Sequence, residues 1–182
     1  MALEIERRFL VSGDQWRTHA HCPRAIRQGY LSTGSGGLTL RVRLARPPVG
    51  ATEAFLTLKL PALGAAAVPP TGQALTRQEY EYPIPTLDAE ALLESSDQRL
   101  SKTRFSLDLP GGDWVLDVFE DANAPLIVAE VELERADQAV AVPAWCSREI
   151  TGRRDLSNAA LAHRPLALWP AAEQEELLTW GC

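Results

Sequence analysis

Residues 4–8 read EIERR, and the placement of their charges decides how this chain is read. In a β-strand successive side chains point to opposite faces, so Glu4, Glu6 and Arg8 share one face while Ile5, Arg7 and Phe9 share the other. A half-buried strand with a solvated outer face produces this alternation. So does the wall of a binding site, and only the rest of the chain separates the two.

Moving outward, the pattern recurs. Arg41 and Arg43 oppose Val42 and Leu44, and Lys59 shares a face with Thr57 against Leu56, Leu58 and Leu60. Glu79 and Glu81 alternate with Tyr80 and Tyr82, Lys102 and Arg104 with Thr103 and Phe105, and Glu130 and Glu132 with Val131 and Leu133. Asp117 sits between Leu116 and Val118. A solvated face normally mixes Thr, Ser, Gln and Lys with scattered signs, whereas here same-sign pairs repeat at i, i+2. Like charges on one face repel unless a counter-charge lies between them, so the repetition implies ligands that supply it. Paired Arg and Lys suit phosphate oxygens, and paired Glu suit a hard divalent cation. Together they point to a metal-bound polyphosphate.

Turn signals at TGSGG (33–37), RPPVG (46–50), PGGD (110–113) and EDANAP (120–125) cut the chain into short extended pieces. Between them lie QGYLS, LTLRVRL, AFLTLKL, RQEYEYPI, LSKTRFSLDL, DWVLDVFE and LIVAEVELE. With the first strand these make about eight, which favours hairpins and an antiparallel sheet. Closing such a sheet removes its exposed edges. The expected fold is mainly β (α+β): a closed eight-stranded antiparallel β-barrel forming a tunnel, with short helices outside and at the C-terminus. GAAAVPPTGQAL (64–75) reads as a loop. Helices are expected at SGDQW (12–16), with Ser12 as N-cap and Gln15 in the capping box, and at TLDAEALLES (86–95), capped by Thr86. Two more are expected at LSNAALAH (156–163) and PAAEQEELLTW (170–180).

The totals agree with one domain spanning 1–182, its core at about 2–161 and a helical tail at about 162–182. The 182 residues are 46% hydrophobic, enough for a core. A formal charge of -6 argues against a nucleic-acid or anionic-membrane surface, so any anionic ligand must meet a local basic cluster. Cys22, Cys146 and Cys182 are odd in number and in no zinc-like spacing. No apolar run of signal-peptide or membrane-spanning length is found, and the protein is expected in the cytoplasm.

EIERRFLV, QGYL, LRVR, LTLK, EYEY, LSKTRF, WVLDVFE and AEVELE, in that order, resemble the CYTH superfamily of triphosphate tunnel metalloenzymes, most closely its short bacterial inorganic triphosphatases. The resemblance runs from about residue 2 to 161 and includes REITGRRDLSNAAL. It implies a barrel tunnel acting on triphosphates with Mg²⁺ or Mn²⁺. By position, Arg8, Arg41, Arg43, Lys59, Lys102 and Arg104 would bind phosphate, and Glu4, Glu6, Glu130 and Glu132 would hold metal. Glu79, Glu81 and Asp117 match tunnel acids that either bind metal or orient a neighbouring Arg or Lys. Glu4, Glu6 and Arg8 form the expected catalytic group.

One residue departs from the family signature E-x-E-x-K, where the fifth position is here Arg8. Arginine stays protonated, so Arg8 can clamp phosphate but cannot act as a base. Tyr30 either reaches the tunnel or packs with its hydroxyl satisfied. His19, His21 and His163 read as surface residues, and Trp16, Trp114, Trp145, Trp169 and Trp180 as packing residues. No Ser, Cys or His constellation suggests a covalent intermediate. The expected function is metal-dependent hydrolysis of a small-molecule triphosphate, inorganic tripolyphosphate first. The alternatives are a nucleoside triphosphatase, an adenylate cyclase, or a polyphosphate- or nucleotide-binding module without turnover. Neither nucleic acid nor membrane is expected as a partner, and a homodimer is the self-association considered.

Overall fold

The period-two segments become strands, and the turn signals RPPVG, PGGD and EDANAP lie between strands that pair with each other. A computed structural model describes residues 3–33, 37–62, 64, 69–70 and 72–179. Trp180, Cys182, residues 34–36 of the TGSGG segment and residues 65–68 and 71 of the 64–75 segment lie outside the described residues. The strands are β1 (Leu3–Val11), β2 (Ala20–Thr33), β3 (Thr39–Arg46), β4 (Glu53–Pro61), β5 (Leu75–Pro83), β6 (Arg99–Leu107), β7 (Asp113–Phe119), β8 (Ile127–Glu132) and β9 (Cys146–Glu149). The α-helices are α1 (Thr86–Glu94), α2 (Asn158–His163) and α3 (Ala171–Thr179).

Eight of the strands close an antiparallel barrel in the order β5-β4-β3-β2-β6-β7-β8-β1. Closure comes from β1, whose residues Leu3 to Glu6 pair with Gln78 to Leu75 of β5. The C-terminal half of β1, Phe9 to Val11, pairs instead with the ninth strand, β9. No helix among the described residues is long and apolar enough to cross a membrane.

The barrel's apolar side chains form three clusters. Outside, Phe9, Trp16, Trp114, Leu116, Val131 and Trp145 pack together, and Val42, Leu44 and Ala54 pack under Ala89 and Leu93 of α1. Gly29 permits that second contact, since a Cβ there would lie 3.1 Å from both Leu93 Cδ2 and Ser96 Cβ. The third cluster joins Leu10, Tyr30, Leu100, Phe119 and Val128 to Ile150, Leu156, Leu161, Leu166, Trp169 and Leu177. Leu10, Leu100 and Val128 share strand faces with Arg8, Lys102 and Glu130, so the bore-facing wall changes from charged to apolar. The C-terminal segment is seated on that apolar part.

Local expectations needed correction at several places. Strand β2 runs 14 residues, much further than QGYLS. The SGDQW helix is a short 3-10 turn at Gln15–Thr18 with Asp14 at its cap position and no side-chain cap bond. Pro85, not Thr86, occupies the cap position of α1: its ψ of 139° is non-helical, while its main-chain oxygen already accepts a hydrogen bond from Ala89 N. The 156–163 helix starts at Asn158, where Ser157 accepts a hydrogen bond from Ala160 N. Leu75, expected in the loop, begins β5, and Ala74 before it is buried among the outer apolar residues.

Candidate active site

The charged part of the bore is a cavity of about 980 Å³. Glu4, Glu6, Arg8, Arg41, Arg43, Lys59, Glu79, Glu81, Arg104, Glu130 and Glu132 all line it. Lys102 and Asp117 do not. They lie beneath its surface with side chains 1% and 0% exposed.

The counter-charge that the sequence pattern left to a ligand comes instead from cross-strand neighbours. Lys59 Nζ donates to Glu4 Oε1 at 2.6 Å and lies 3.2 Å from Glu79 Oε2. Arg43 Nη2 reaches both oxygens of Glu81 at 2.8 and 2.9 Å. Arg41 Nη2 donates to Thr57 Oγ1 at 3.1 Å and lies 3.3 Å from Glu81 Oε2, while Thr57 donates to that same oxygen. Arg8 Nε donates to Glu130 Oε1 at 2.9 Å, and its Nη1 to the main-chain oxygen of Leu156 at 3.1 Å. The register explains the pairing, because opposite charges of adjacent strands face each other: Arg8 with Glu130, Lys59 with Glu79. The pairing is incomplete. Arg8 Nη2, Arg41 Nε and Arg43 Nε are buried nitrogens without an acceptor.

These environments split the carboxylates. Burial pushes Glu4 up, but Lys59 and Arg77 outweigh it and hold the carboxyl at about 2. Burial raises Glu6, and the charges of Glu4 and Glu130 add to that rise. Burial also raises Glu132, helped by Glu4, Glu79 and Asp113. Carboxylates thus crowd one another on the wall formed by β1, β5 and β8.

Below the wall, one carboxylate serves two cations. Arg104 takes Asp117 bidentately through Nε and Nη2 at 2.7 Å each, and its Nη2 also reaches Glu130 Oε2 at 2.7 Å. Lys102 Nζ donates to Asp117 Oδ2 at 2.5 Å. The bidentate arginine claims most of the carboxylate's charge, leaving Lys102 as a surplus buried cation, and burial lowers it from 10.5 to about 8. Between those two pH values only the unfolded chain keeps the lysine proton, so this site's contribution to stability rises with pH and is lost as pH falls through 8. Relative to Lys102→Met, the natural protein should gain on the order of 3 kcal/mol of unfolding free energy from pH 8 to 10.5. Equal pH slopes in urea melts of the two proteins would count against a surplus charge.

Tyr30 combines its two sequence readings: it lines the cavity, and its hydroxyl accepts from Gln28 Nε2 at 2.7 Å. Burial pushes the phenol up to about 12. His19 is half-buried, and His21 and His163 are exposed. Trp16, Trp114, Trp145 and Trp169 are buried. Sequence reasoning passed over Arg77, which lines the cavity two residues before Glu79 and was findable by the same parity. It also passed over Arg153, Arg154, Ser157 and Asn158, which reach the cavity from the C-terminal segment. No periodicity marks them.

Among the described residues, no three acidic, histidine or cysteine side chains are grouped to hold a metal ion in this arrangement, because most carboxylates point at cations. The donor set nevertheless fits a hard divalent ion: it consists of carboxylate oxygens, and Glu4 Oε2 is buried without a hydrogen-bond donor.

A closed antiparallel barrel with interleaved arginines and carboxylates on its inner wall defines the class. A CYTH domain family model matches residues 2–161. The chain is 38% identical over 164 residues to an inorganic triphosphatase of Nitrosomonas europaea, covering 87% of this chain and 96% of that protein. It is 31% identical over 167 residues to an inorganic triphosphatase of Acetivibrio thermocellus, covering 91% and 96%. A crystal structure of an inorganic triphosphatase matches with a TM-score of 0.58 at 36% identity, covering 89% of this chain and 95% of that one. The chain belongs to the CYTH domain family.

Proposed function

We propose that the chain is a divalent-metal-dependent hydrolase of triphosphates, with inorganic tripolyphosphate as its first substrate. The observation that carries this reading is the set of buried guanidinium nitrogens without acceptors, Arg8 Nη2, Arg41 Nε and Arg43 Nε, on residues lining one cavity with carboxylates. Unsatisfied buried donors favour an anion that offers many acceptor oxygens. Arg8, Arg41, Arg43, Lys59 and Arg104 bind the phosphate oxygens and neutralise charge spreading on the transferred group. Lys102 and Asp117 act from beneath by fixing Arg104. Glu4, Glu6, Glu130 and Glu132 are the carboxylates that would hold Mg²⁺ or Mn²⁺, with Glu79 and Glu81 orienting Lys59, Arg41 and Arg43. When bound, such an ion supplies charge neutralisation and lowers the pKa of an attacking water.

The same reading takes the chain as one unit, since Leu166, Trp169 and Leu177 of the tail join Leu10 and Tyr30 in a single cluster. It places the protein in the cytoplasm, in keeping with free thiols at Cys22 and Cys146. A nucleoside triphosphate is the second reading, because about 980 Å³ is at the upper end for small-molecule sites. Against it, Tyr30 is the one aromatic ring among the described lining residues, and its hydroxyl is engaged.

Phosphate release from tripolyphosphate, ATP and thiamine triphosphate, each with Mg²⁺, Mn²⁺ or EDTA, tests the assignment. Turnover of tripolyphosphate that EDTA abolishes is expected. Release from none of the three with either metal overturns the hydrolase reading, and binding without release would identify a binding module.

A further inference from the structure

Arg77 stands apart from the other cations of the cavity, since it pairs with both carboxylates of β1. Glu4 and Arg77 are direct cross-strand partners. The Nη2 atom of Arg77 donates to Glu6 Oε1 at 2.7 Å and lies 3.1 Å from Glu4 Oε2. That second contact is close but misdirected, so Glu4 Oε2 has an ionic neighbour and no hydrogen bond. The Nε atom of Arg77 is likewise buried without an acceptor.

This is a poor use of a guanidinium, whose strength lies in two parallel bonds to one carboxylate. Here a single nitrogen stands between two carboxylates and works as a point charge. Two glutamate oxygens facing one point charge is the surrounding that a hard divalent ion exploits better, at shorter distances and with twice the charge.

We propose that Arg77 is a built-in competitor for divalent metal at the Glu4–Glu6 pair, displaced when metal binds, and that its freed guanidinium then turns to the triphosphate. The inference rests on the metal-dependent reading given above. Its consequence is coupling: metal releases a cation for the anion, and the anion draws Arg77 off the carboxylates, so each ligand strengthens the other's binding by the same factor. Removing Arg77 should tighten metal binding alone and weaken the coupling.

Mn²⁺ binding to the purified protein, followed by the electron paramagnetic resonance signal of the free ion, tests this with and without imidotriphosphate, which resists hydrolysis. Arg77→Met and Arg77→Gln should each bind Mn²⁺ alone about tenfold more tightly than the natural protein, within the usual range of coupling. The gain in Mn²⁺ affinity caused by imidotriphosphate should shrink in both. Two variants of different polarity, checked by circular dichroism, guard against misfolding of one. Mn²⁺ affinity that is unchanged or weaker in both variants overturns the competitor role alone. Absence of Mn²⁺ binding in all three proteins, even with imidotriphosphate, overturns it together with the metal-dependent reading.

Discussion

Replacing Asp117 by asparagine is expected to lower the unfolding free energy by about 3–5 kcal/mol, the usual loss when one partner of a buried ion pair is removed. The shape of the side chain is kept, so the effect isolates its charge. Asp117 is fully buried and holds Lys102 Nζ and both donors of the Arg104 fork. Without the carboxylate, two cations remain in the barrel wall with Glu130 as their nearest counter-charge, and Glu130 already serves Arg8. For a chain of this length the loss corresponds to a fall of about 10 °C in Tm. In a Lys102→Met background the same change should cost clearly less, because Arg104 is then the one cation that loses Asp117 and it retains Glu130. A loss below about 1 kcal/mol in the single variant would contradict the buried-anchor role.

Arg8→Ala is expected to lower kcat/KM for tripolyphosphate by about ten- to a thousandfold, as when one charge-stabilising donor is lost. Arg8→Lys should change it only modestly. The reasoning follows from what the guanidinium touches: Nε on Glu130, Nη1 on Leu156 O and Nη2 without a protein acceptor. A lysine at this place keeps one charge beside Glu130 and loses the simultaneous reach to Leu156. If the reaction instead needed a side-chain base here, the natural protein would be inactive and Arg8→Lys would create activity with a new basic limb in its pH profile. Rates for the three proteins across pH separate these outcomes.

Much of this was legible in the chain because a strand's side chains alternate with a fixed period. The parity of Glu4, Glu6 and Arg8, of Arg41 and Arg43, and of Glu79 and Glu81 put each on the correct wall without knowledge of strand order. Parity carries no depth, however. Lys102 and Arg104 share a face, yet one is beneath the cavity and the other lines it, since depth depends on the shear of the closed barrel. Nor does parity reveal partners: the register that sets Arg8 against Glu130 joins residues more than a hundred positions apart. Arg77 was missed because a single arginine before EYEY breaks no pattern. Arg153, Arg154 and Asn158 reach the site from a turn and a helix start, where position is set by packing of Leu156 and Leu161 against the barrel. Cap assignments failed where Pro85 displaced Thr86 through backbone geometry.

The way β1 closes the barrel also bears on how the chain reaches this state during synthesis. Strand β1 is made before all of its neighbours β5, β8 and β9, and two of these lie beyond residue 126. Until they emerge, a strand carrying Glu4, Glu6 and Arg8 on one side and Ile5 and Phe9 on the other has no complete set of partners. The intervening strands β2, β3 and β4 can pair with their immediate successors or predecessors as they appear, but the loop that must close for β1 spans most of the chain. Such long-range closure slows folding and leaves strand edges open to other chains meanwhile. The charges on β1 that line the cavity in the finished protein then serve the nascent one as well, since charged side chains on an open strand disfavour its edge-to-edge pairing with another chain.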